Sequence, residues 1–177
     1  MAIDFSFGPE VEQARESIRQ FMRDTVKPRY RELADNKGAT RDDWSAAIKA
    51  LRVEAKNKGF WLPHMPADAG GMGLGVTALA AVAAEAAKVP YGPYIMNAHA
   101  PDEGNMHTLY HFATEYQREK YLQPLLDGKV RSCFSMTEPD VAGSDPTLIQ
   151  TTAVQDGDEW VSLLGAVLQD YPRTGRL

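Results

Sequence analysis

Apolar side chains recur every three or four positions along most of the first 130 residues, which is the spacing that places them on one face of an α-helix. The first such pattern covers residues 9–33 and contains Val11, Ala14, Ile18, Phe21 and Met22. Pro9 suits the first helical turn, where its missing N–H would have no partner in any case. Pro28 is predicted to end or kink this helix, because it lacks a donor and its ring clashes with the preceding turn.

A second helix is predicted to begin after Thr40, whose hydroxyl can accept hydrogen bonds from the free amides of a first turn. Asp42 and Asp43 follow, where the helix dipole favours anions, and Gly59 marks the end of the helix. The apolar face of this helix is predicted to consist of Trp44, Ala47, Ile48, Leu51 and Ala55.

Further helices are predicted over residues 76–88, 94–98 and 104–112, after a loop rich in proline and glycine. The first of them is rich in alanine, and its buried face is predicted to be Leu79, Val82, Ala83 and Ala86. Thr114 and Gln117 can form a capping box, in which each side chain satisfies the other residue's backbone amide. The helix that they open is predicted to be interrupted at Pro124.

The pattern changes to that of β-structure after Gly128. A strand is predicted over residues 131–137, and two more over residues 151–155 and 159–161, joined by a hairpin at Asp156 and Gly157. The fold class is therefore predicted to be mainly α. A bundle of five or six helices in residues 1–129 precedes the start of a small antiparallel β unit in residues 130–161. Residues 162–177 show no clear period and are predicted to be a divergent tail that forms a loop or is disordered.

Composition narrows the possible functions. A length of 177 residues allows one domain, or one domain and the start of another. The net charge of −5 provides no basic field for nucleic acid, although a small anionic ligand needs only local charge. Cys133 is the single cysteine, so no internal disulfide forms, and we predict an inert thiol buried in a strand. No secretory signal or membrane-spanning run is recognised, and a cytoplasmic location is expected.

Residues 134–144 carry the most promising chemistry. A predicted strand ends at Thr137 and continues into a loop of small residues that includes Gly143 and Ser144. Such a loop exposes backbone amides and lets a ligand approach closely, and the two hydroxyls can donate and accept. This combination suits a cofactor with carbonyl and phosphate oxygens. On residue types alone, a polar turn without a ligand explains the segment more economically.

Four segments, taken in order, resemble the acyl-CoA dehydrogenase family. Met136-Thr137-Glu138-Pro139 followed by Ala142-Gly143-Ser144-Asp145 is similar to the family's flavin signature. Residues 66–75, 114–128 and 156–161 resemble the family's glycine-rich loop, the helix before the flavin strand and the hairpin after it. The resemblance covers roughly residues 5–161. The loop between Pro139 and Gly143 has one residue more, before Ala142, than is usual in the family. This longer loop resembles that of the branch of acyl-CoA dehydrogenase family members 10 and 11, which act on longer or 4-hydroxylated acyl chains.

The resemblance implies FAD-dependent α,β-dehydrogenation of an acyl-CoA thioester. The cofactor-binding residues that it implies are Phe134, Ser135, Met136, Thr137, Gly143 and Ser144, and Ser144 is also implied to touch the acyl-CoA substrate. Met136 and Thr137 would meet the polar edge of the isoalloxazine ring, whereas Gly143 and Ser144 would follow the phosphate side. An electron-transfer acceptor is an implied partner, and full-length relatives are homo-oligomers. The family's catalytic glutamate belongs to a C-terminal helical domain, so we assign no catalytic residue here and interpret Glu138 as structural.

Three other patterns are weaker. His107 and His111 lie four positions apart and could share a metal, but we find no convincing third ligand and expect no metal site. The glycines of residues 71–75 resemble a phosphate loop, yet they lack the preceding strand of a dinucleotide fold. The basic line of Arg15, Arg19 and Arg23 is interpreted as a solvated helix face.

The resemblance stops after Val161, where the family continues with an Ile-Asn-Gly turn and a Lys-Trp strand. We interpret residues 162–177 as the product of a frameshift, an altered transcript or a gene-model error. A chain of this kind is expected to be truncated, to hold FAD weakly or not at all, and to show no turnover. The main alternative is a non-catalytic binding or interaction protein derived from the family. A regulatory helical domain unrelated to flavin would require four ordered motif matches to be accidental.

Overall fold

The described part of the chain comprises residues 6–134, 136–138 and 140–163 of a computed structural model, without the side chains of residues 160–163. The chain divides into two units, residues 1–132 and residues 133–177. The first is helical and the second contains a β-hairpin. The prediction of a mainly α fold is thus confirmed. Within the described ranges, no helix is long and apolar enough to cross a membrane.

The first helical segment continues through the proline that was predicted to end it. Helix α1 (Pro9–Phe21) passes through a π-helical turn (Met22–Val26) into α2 (Lys27–Asp35). The amide of Lys27 bonds to the carbonyl of Met22, five residues back. A π turn is wider than an α turn, so the carbonyl that would clash with the ring of Pro28 can move aside. Of the two outcomes predicted for Pro28, an end or a kink of the helix, the helix end is therefore wrong.

The same arrangement recurs at the second helical proline. Helix α7 (Glu115–Gln117) leads through a π turn (Arg118–Leu122) into α8 (Gln123–Leu126). Pro124 follows this widened turn, just as Pro28 follows the first one. The predicted interruption at Pro124 is therefore wrong as well, because a π turn absorbs the proline without breaking the helical path.

The remaining helices follow the local signals closely. Helix α3 (Arg41–Asn57) begins with a capping box between Thr40 and Asp43, and α7 begins with the predicted box between Thr114 and Gln117. Helices α4 (Val76–Ala86), α5 (Gly92–Ile95) and α6 (Asp102–Phe112) lie within two residues of their predicted starts. These helix predictions are confirmed, although α4 and α5 end earlier than predicted.

Two apolar clusters hold the helical unit together. The larger one joins α1, its π turn, α3, α4 and α5 around the buried side chains of Ile18, Phe21, Met22, Val26, Leu51, Ala55, Val82, Ala86, Val89, Ile95 and Met96. The smaller one joins the loop after α3 to α6 and α8 through Trp61, Leu62, Met65, Met106, Leu122, Leu125 and Leu126. Burial of this apolar surface supplies the main driving force for the helical packing.

The buried face of α4 differs from the predicted one. Val82 and Ala86 are buried as predicted, but Leu79 is half-buried and Ala83 is exposed. The other buried residues of α4 are Ala78, Ala81 and Glu85. In a helix this rich in alanine the faces differ little in hydrophobicity, so the sequence did not indicate clearly which face is buried.

The second unit contains a two-stranded antiparallel hairpin. Strand β1 (Thr152–Asp156) pairs with β2 (Glu159–Leu163), with Val154 opposite Val161. The hairpin prediction is confirmed, and the turn lies one residue later than predicted, at Gly157 and Asp158. Gly157 has φ +61°, a conformation that glycine adopts without steric cost.

The strand predicted over residues 131–137 is absent from the described residues of that segment, 131–134, 136 and 137. An alternating pattern forms a strand only where a neighbour supplies ladder hydrogen bonds, and in the described part β1 and β2 pair with each other. Cys133 is exposed, so the prediction of a buried thiol is wrong for the same reason. The predicted tail is described only at Ser162 and Leu163, which belong to β2, and residues 164–177 lie outside the described residues.

Candidate functional site

The loop that follows Thr137 is closed by one buried carboxylate. The Glu138 side chain is 7% exposed. Its Oε2 accepts a hydrogen bond of 2.9 Å from the Gln150 amide, and its Oε1 accepts one of 2.7 Å from the Thr151 amide. The Thr151 hydroxyl also donates to Oε1. Glu138 therefore ties the start of the loop to the residues that lead into β1.

Inside this loop, Gly143 and Ser144 occupy the two central positions of a turn. The Asp145 amide donates to the Ala142 carbonyl at 3.1 Å, which closes the turn around them. The Asp145 carboxylate then accepts from the amide of Thr147 at 3.0 Å and from its hydroxyl at 2.6 Å, and so caps a short 3₁₀ turn. A backbone hydrogen bond thus closes the turn, and the side chain of its last residue, Asp145, holds the residues that follow it.

Hydrogen bonds lower the pKa of two carboxylates in this loop, those of Glu138 and Asp145. The hydroxyl of Thr151, together with the amides of Gln150 and Thr151, holds the pKa of Glu138 below its ordinary value. The hydroxyl and amide of Thr147 lower the pKa of Asp145 in the same way. Both groups are anions at neutral pH, and their oxygens are engaged in shaping the loop.

The residues assigned to the flavin by resemblance are mostly accessible. Thr137, Gly143 and Ser144 are exposed, Met136 is half-buried, and Phe134 is 60% exposed. Ser135 lies outside the described residues. A Cβ added at Gly143 would meet nothing within 4 Å, so the turn faces open space. The exposed hydroxyls and the open glycine turn fit a polar, phosphate-bearing cofactor such as FAD.

A second carboxylate anchors the chain just before this segment, within the helical unit. Asp102, the first residue of α6, is 2% exposed. It accepts hydrogen bonds of 2.7 Å from the amide and the hydroxyl of Ser132, and it also pairs with Arg131. Asn105 donates to the Ser132 hydroxyl at 2.8 Å. This anchor was not predicted from the sequence, where its signal is only the acidic pair of Asp102 and Glu103 at the start of a helix.

The ionisation of Asp102 reflects two opposing effects. Burial alone would raise its pKa, but hydrogen bonds from Ser132 and the pairing with Arg131 together bring the pKa below its ordinary value. Arg131 also lies over the ring of Tyr94, at 4.8 Å from its centroid. The last residues of the helical unit are thus fixed by charge as well as by backbone hydrogen bonds.

Part of the basic line on α1 is not a solvated face. Glu85 of α4 is buried, and its carboxylate oxygens form salt bridges with side-chain nitrogens of Arg15 at 3.1 Å, Arg19 at 2.9 Å and Lys88 at 2.7 Å. The interpretation of Arg15 and Arg19 as a solvated face is therefore wrong, because both extend across to one buried carboxylate on α4. Arg23 pairs with its exposed neighbour Asp24 and fits the original interpretation.

A buried arginine links three distant parts of the helical unit. Arg52 is 8% exposed and donates to the carbonyl oxygen of Tyr94, to Asn97 Oδ1 at 3.1 Å and to the Gly128 carbonyl oxygen at 3.5 Å. Its guanidinium lies 4.8 Å from the ring centroid of Trp61 and 4.6 Å from that of Tyr94. Burial lowers the pKa of Arg52, and three carbonyl-type acceptors take the place of water.

The two histidines considered as metal ligands belong to a row of three rings. His107 stacks on His111 with centroids 6.3 Å apart, and His64 meets His107 edge-on at 5.5 Å. His64 is buried, which lowers its pKa to about 4. The described residues contain no group of three or more histidine, cysteine or acidic side chains placed to hold a metal ion. Ring packing accounts for the arrangement.

Comparison with known proteins agrees with this architecture. The family described as "Acyl-CoA dehydrogenase, N-terminal domain" matches residues 8–129. Acyl-CoA dehydrogenase family member 11 of Gallus gallus is 38% identical over 149 residues, which are 81% of this chain and 19% of that protein. Acyl-CoA dehydrogenase family member 10 of Mus musculus is 36% identical over 156 residues, 84% of this chain and 14% of that protein.

A solved structure also matches both units. It is that of a putative acyl-CoA dehydrogenase from Mycobacterium abscessus, with a TM-score of 0.77, 33% identity, and coverage of 89% of this chain and 41% of that chain. The chain spans about two fifths of that protein and less of the two relatives named above. The resemblance to the branch of family members 10 and 11 is confirmed. This chain belongs to the acyl-CoA dehydrogenase family, and residues 8–129 form its N-terminal domain.

Proposed function

We propose that this chain forms the flavin-facing part of a dehydrogenase that converts an acyl-CoA thioester into its α,β-unsaturated form. The α hydrogen leaves as a proton to a glutamate base, and the β hydrogen leaves with its electron pair as a hydride. FAD, when bound, supplies the hydride acceptor, and a separate electron-transfer acceptor reoxidises it. The observation that carries the proposal is the open turn of Gly143 and Ser144, in the closed loop that begins directly after Thr137 in a member of this family.

Each loop residue has a role that its position supports. In this proposal the hydroxyl of the exposed Thr137 bonds with the polar edge of the flavin ring, and the half-buried Met136 precedes it. The turn of Gly143 and Ser144 offers backbone amides and one hydroxyl to phosphate oxygens. Ser144 also contacts the thioester substrate in this proposal. Phe134 exposes an apolar ring in the same segment.

Glu138 is not proposed as the base, despite its place next to Thr137. Both of its oxygens accept hydrogen bonds from residues 150 and 151, and those bonds lower its pKa. A general base needs a lone pair directed at its proton and a pKa near the working pH. The family resemblance assigns the glutamate base, and also the second wall of the flavin site, to residues outside these 177. We therefore expect the chain alone to bind FAD weakly and to show no turnover.

FAD titration of the isotope-labelled chain, followed by two-dimensional NMR, tests the flavin contacts even when binding is weak. Amide signals of Met136, Thr137, Gly143 and Ser144 are expected to shift together. Thr137→Val, which removes the hydroxyl at nearly constant volume, is expected to weaken FAD binding about three- to tenfold, as loss of one hydrogen bond implies. Thr152→Val is the matched control, since Thr152 is also exposed and lies outside the loop.

Shifts confined to the helical unit, or equal affinities of the two valine variants, would contradict the proposed contacts. The absence of any response to millimolar FAD would favour the alternative of a non-catalytic interaction protein. A dehydrogenase assay with acyl-CoA and an artificial electron acceptor completes the test, and measurable turnover by this chain alone would refute the assignment of the base to residues outside it.

A further inference from the structure

Glu138 differs from the other acidic residues of its loop in burial and in hydrogen bonding. It is 7% exposed, whereas Asp140 and Asp145 are exposed. Its two oxygens accept three hydrogen bonds, from the Gln150 amide, the Thr151 amide and the Thr151 hydroxyl. All three donors lie twelve or thirteen residues further along the chain. The carboxylate thus fastens together the two ends of one loop.

The closed loop contains one of the proposed flavin contacts and directly adjoins the other. Thr137 immediately precedes the fastening residue, and the turn of Gly143 and Ser144 lies between the two fastened ends. Fixing the ends of a loop reduces the number of conformations that its middle can adopt. A ligand that contacts both Thr137 and the turn then loses less conformational freedom from the protein on binding, which is the general benefit of a preformed site.

We propose that Glu138 is a positioning residue for the flavin, holding Thr137 and the turn of Gly143 and Ser144 in one ligand-ready arrangement without touching the cofactor itself. The inference rests on the proposed flavin function of this loop. It also explains why the position carries a carboxylate, since three donors converge on it and a carboxylate has acceptors on both oxygens. Glutamine would turn an N–H₂ group toward at least one of those donors.

Four variants of this chain separate the positioning role of Glu138 from the effects of a lost charge or an altered side chain elsewhere in the loop. Glu138→Gln keeps the size and removes one acceptor, and Asp140→Asn is the charge-matched control in the same loop. Thr151→Val removes the donating hydroxyl, whereas Thr151→Ser retains it. Two readouts apply to each variant: amide hydrogen exchange across residues 137–151 of the free chain, and FAD affinity from the NMR titration. Circular dichroism verifies that the helical unit remains folded.

We expect Glu138→Gln to speed exchange at Gln150 and Thr151, to alter the signals of Gly143 and Ser144, and to weaken FAD binding about tenfold or more. Thr151→Val should weaken binding less, and Thr151→Ser and Asp140→Asn should match the wild type. Glu138→Gln behaving like Asp140→Asn in both readouts would overturn the inference. A loosened loop with unchanged FAD affinity would overturn it too, because positioning would then not serve the flavin.

The two proposals fail in different ways. If the wild-type chain shows no response to millimolar FAD, the alternative of a non-catalytic interaction protein is favoured, and the flavin part of this inference falls with the proposed function. The exchange readout then still decides whether Glu138 organises the loop. If the wild type binds FAD through Thr137 and the turn while Glu138→Gln binds equally well, only the inference about Glu138 is refuted.

Discussion

Replacing Glu85 by glutamine tests how much the buried ionic cluster stabilises the contact between α1 and α4. The Glu85 side chain is 3% exposed, and hydrogen bonds from Arg19, Lys88 and Arg15 outweigh burial and lower its pKa from 4.5 to about 2. One unit of pKa is worth about 1.4 kcal/mol, so this lowering of the pKa corresponds to about 3 kcal/mol in favour of the ionised form in the folded state. Glu85→Gln resembles the protonated form, so we expect it to lower the free energy of unfolding by up to about 3 kcal/mol at neutral pH.

The pH dependence has a definite sign. Because folding lowers the pKa of Glu85, its contribution is fully present above pH 4.5, the ordinary value, and is lost as the pH falls through about 2. About half of the contribution should remain near pH 3. The difference between wild type and Glu85→Gln should therefore shrink on acidification. The cations are 29%, 35% and 63% exposed and can regain water in the variant, so the full figure is an upper value.

Urea denaturation at several pH values, followed by circular dichroism, measures this difference. Glu16→Gln is the matched control. Glu16 pairs with Arg19 on the exposed side of α1, where its side chain is 42% exposed. An exposed pair contributes at most about 1 kcal/mol, so the control should change stability little. If Glu85→Gln costs no more than Glu16→Gln, or if its cost is as large at pH 3 as at neutral pH, the reasoning about the buried cluster is refuted.

Gly92→Ala should destabilise the helical unit by about 1–3 kcal/mol, because a Cβ there would lie 2.0 Å from the Ala86 carbonyl oxygen. Gly104→Ala, inside α6 with open space around it, should instead stabilise the unit by about 0.5–1 kcal/mol; urea denaturation checks both signs. Thr40→Ala should cost about 1 kcal/mol through loss of the capping box, and an unchanged melting temperature would contradict this. Asp102→Asn should cost about 2–4 kcal/mol, since it removes the charge from a buried, paired carboxylate; a urea midpoint equal to that of the wild type would count against the anchor.

Local signals in the sequence were sufficient where the interacting groups are neighbours. The cap at Thr40 and the capping box at Thr114 form as predicted, and the reciprocal bond from Asp43 that completes a box at Thr40 also joins residues only three positions apart. The hairpin at Gly157 is also local, and only its register differed by one residue. At Pro28 and Pro124 a proline ring would clash with the preceding turn of an ordinary α-helix. The sequence does not reveal that this turn can widen into a π turn and make room for the ring.

The remaining features depend on partners that are distant in the sequence. Arg15 and Glu85 are 70 residues apart, and their pairing follows from the packing of two helices rather than from either local pattern. Asp102 bonds to Ser132 across 30 residues, although neither position has a distinctive neighbourhood in the sequence. The strand predicted at residues 131–137 failed because a strand is defined by its neighbours. Glu138 was interpreted as a structural residue, and its hydrogen bonds agree with that interpretation, but its partners at residues 150 and 151 were not foreseen.

The site of Arg52 has a consequence for the order in which the helical unit can assemble. The acceptors of its guanidinium lie 42, 45 and 76 residues further along the chain, so the last of them is synthesised long after the arginine itself. Gly128 has φ +69°, and a Cβ there would lie 2.2 Å from Arg52 Nη2, so a larger residue would strain the backbone and displace the guanidinium from its place. Until Gly128 has left the ribosome, the nascent helices lack the contact that fastens α3 to the end of α8. The helical unit is therefore expected to become stable late in translation and as a whole, rather than helix by helix.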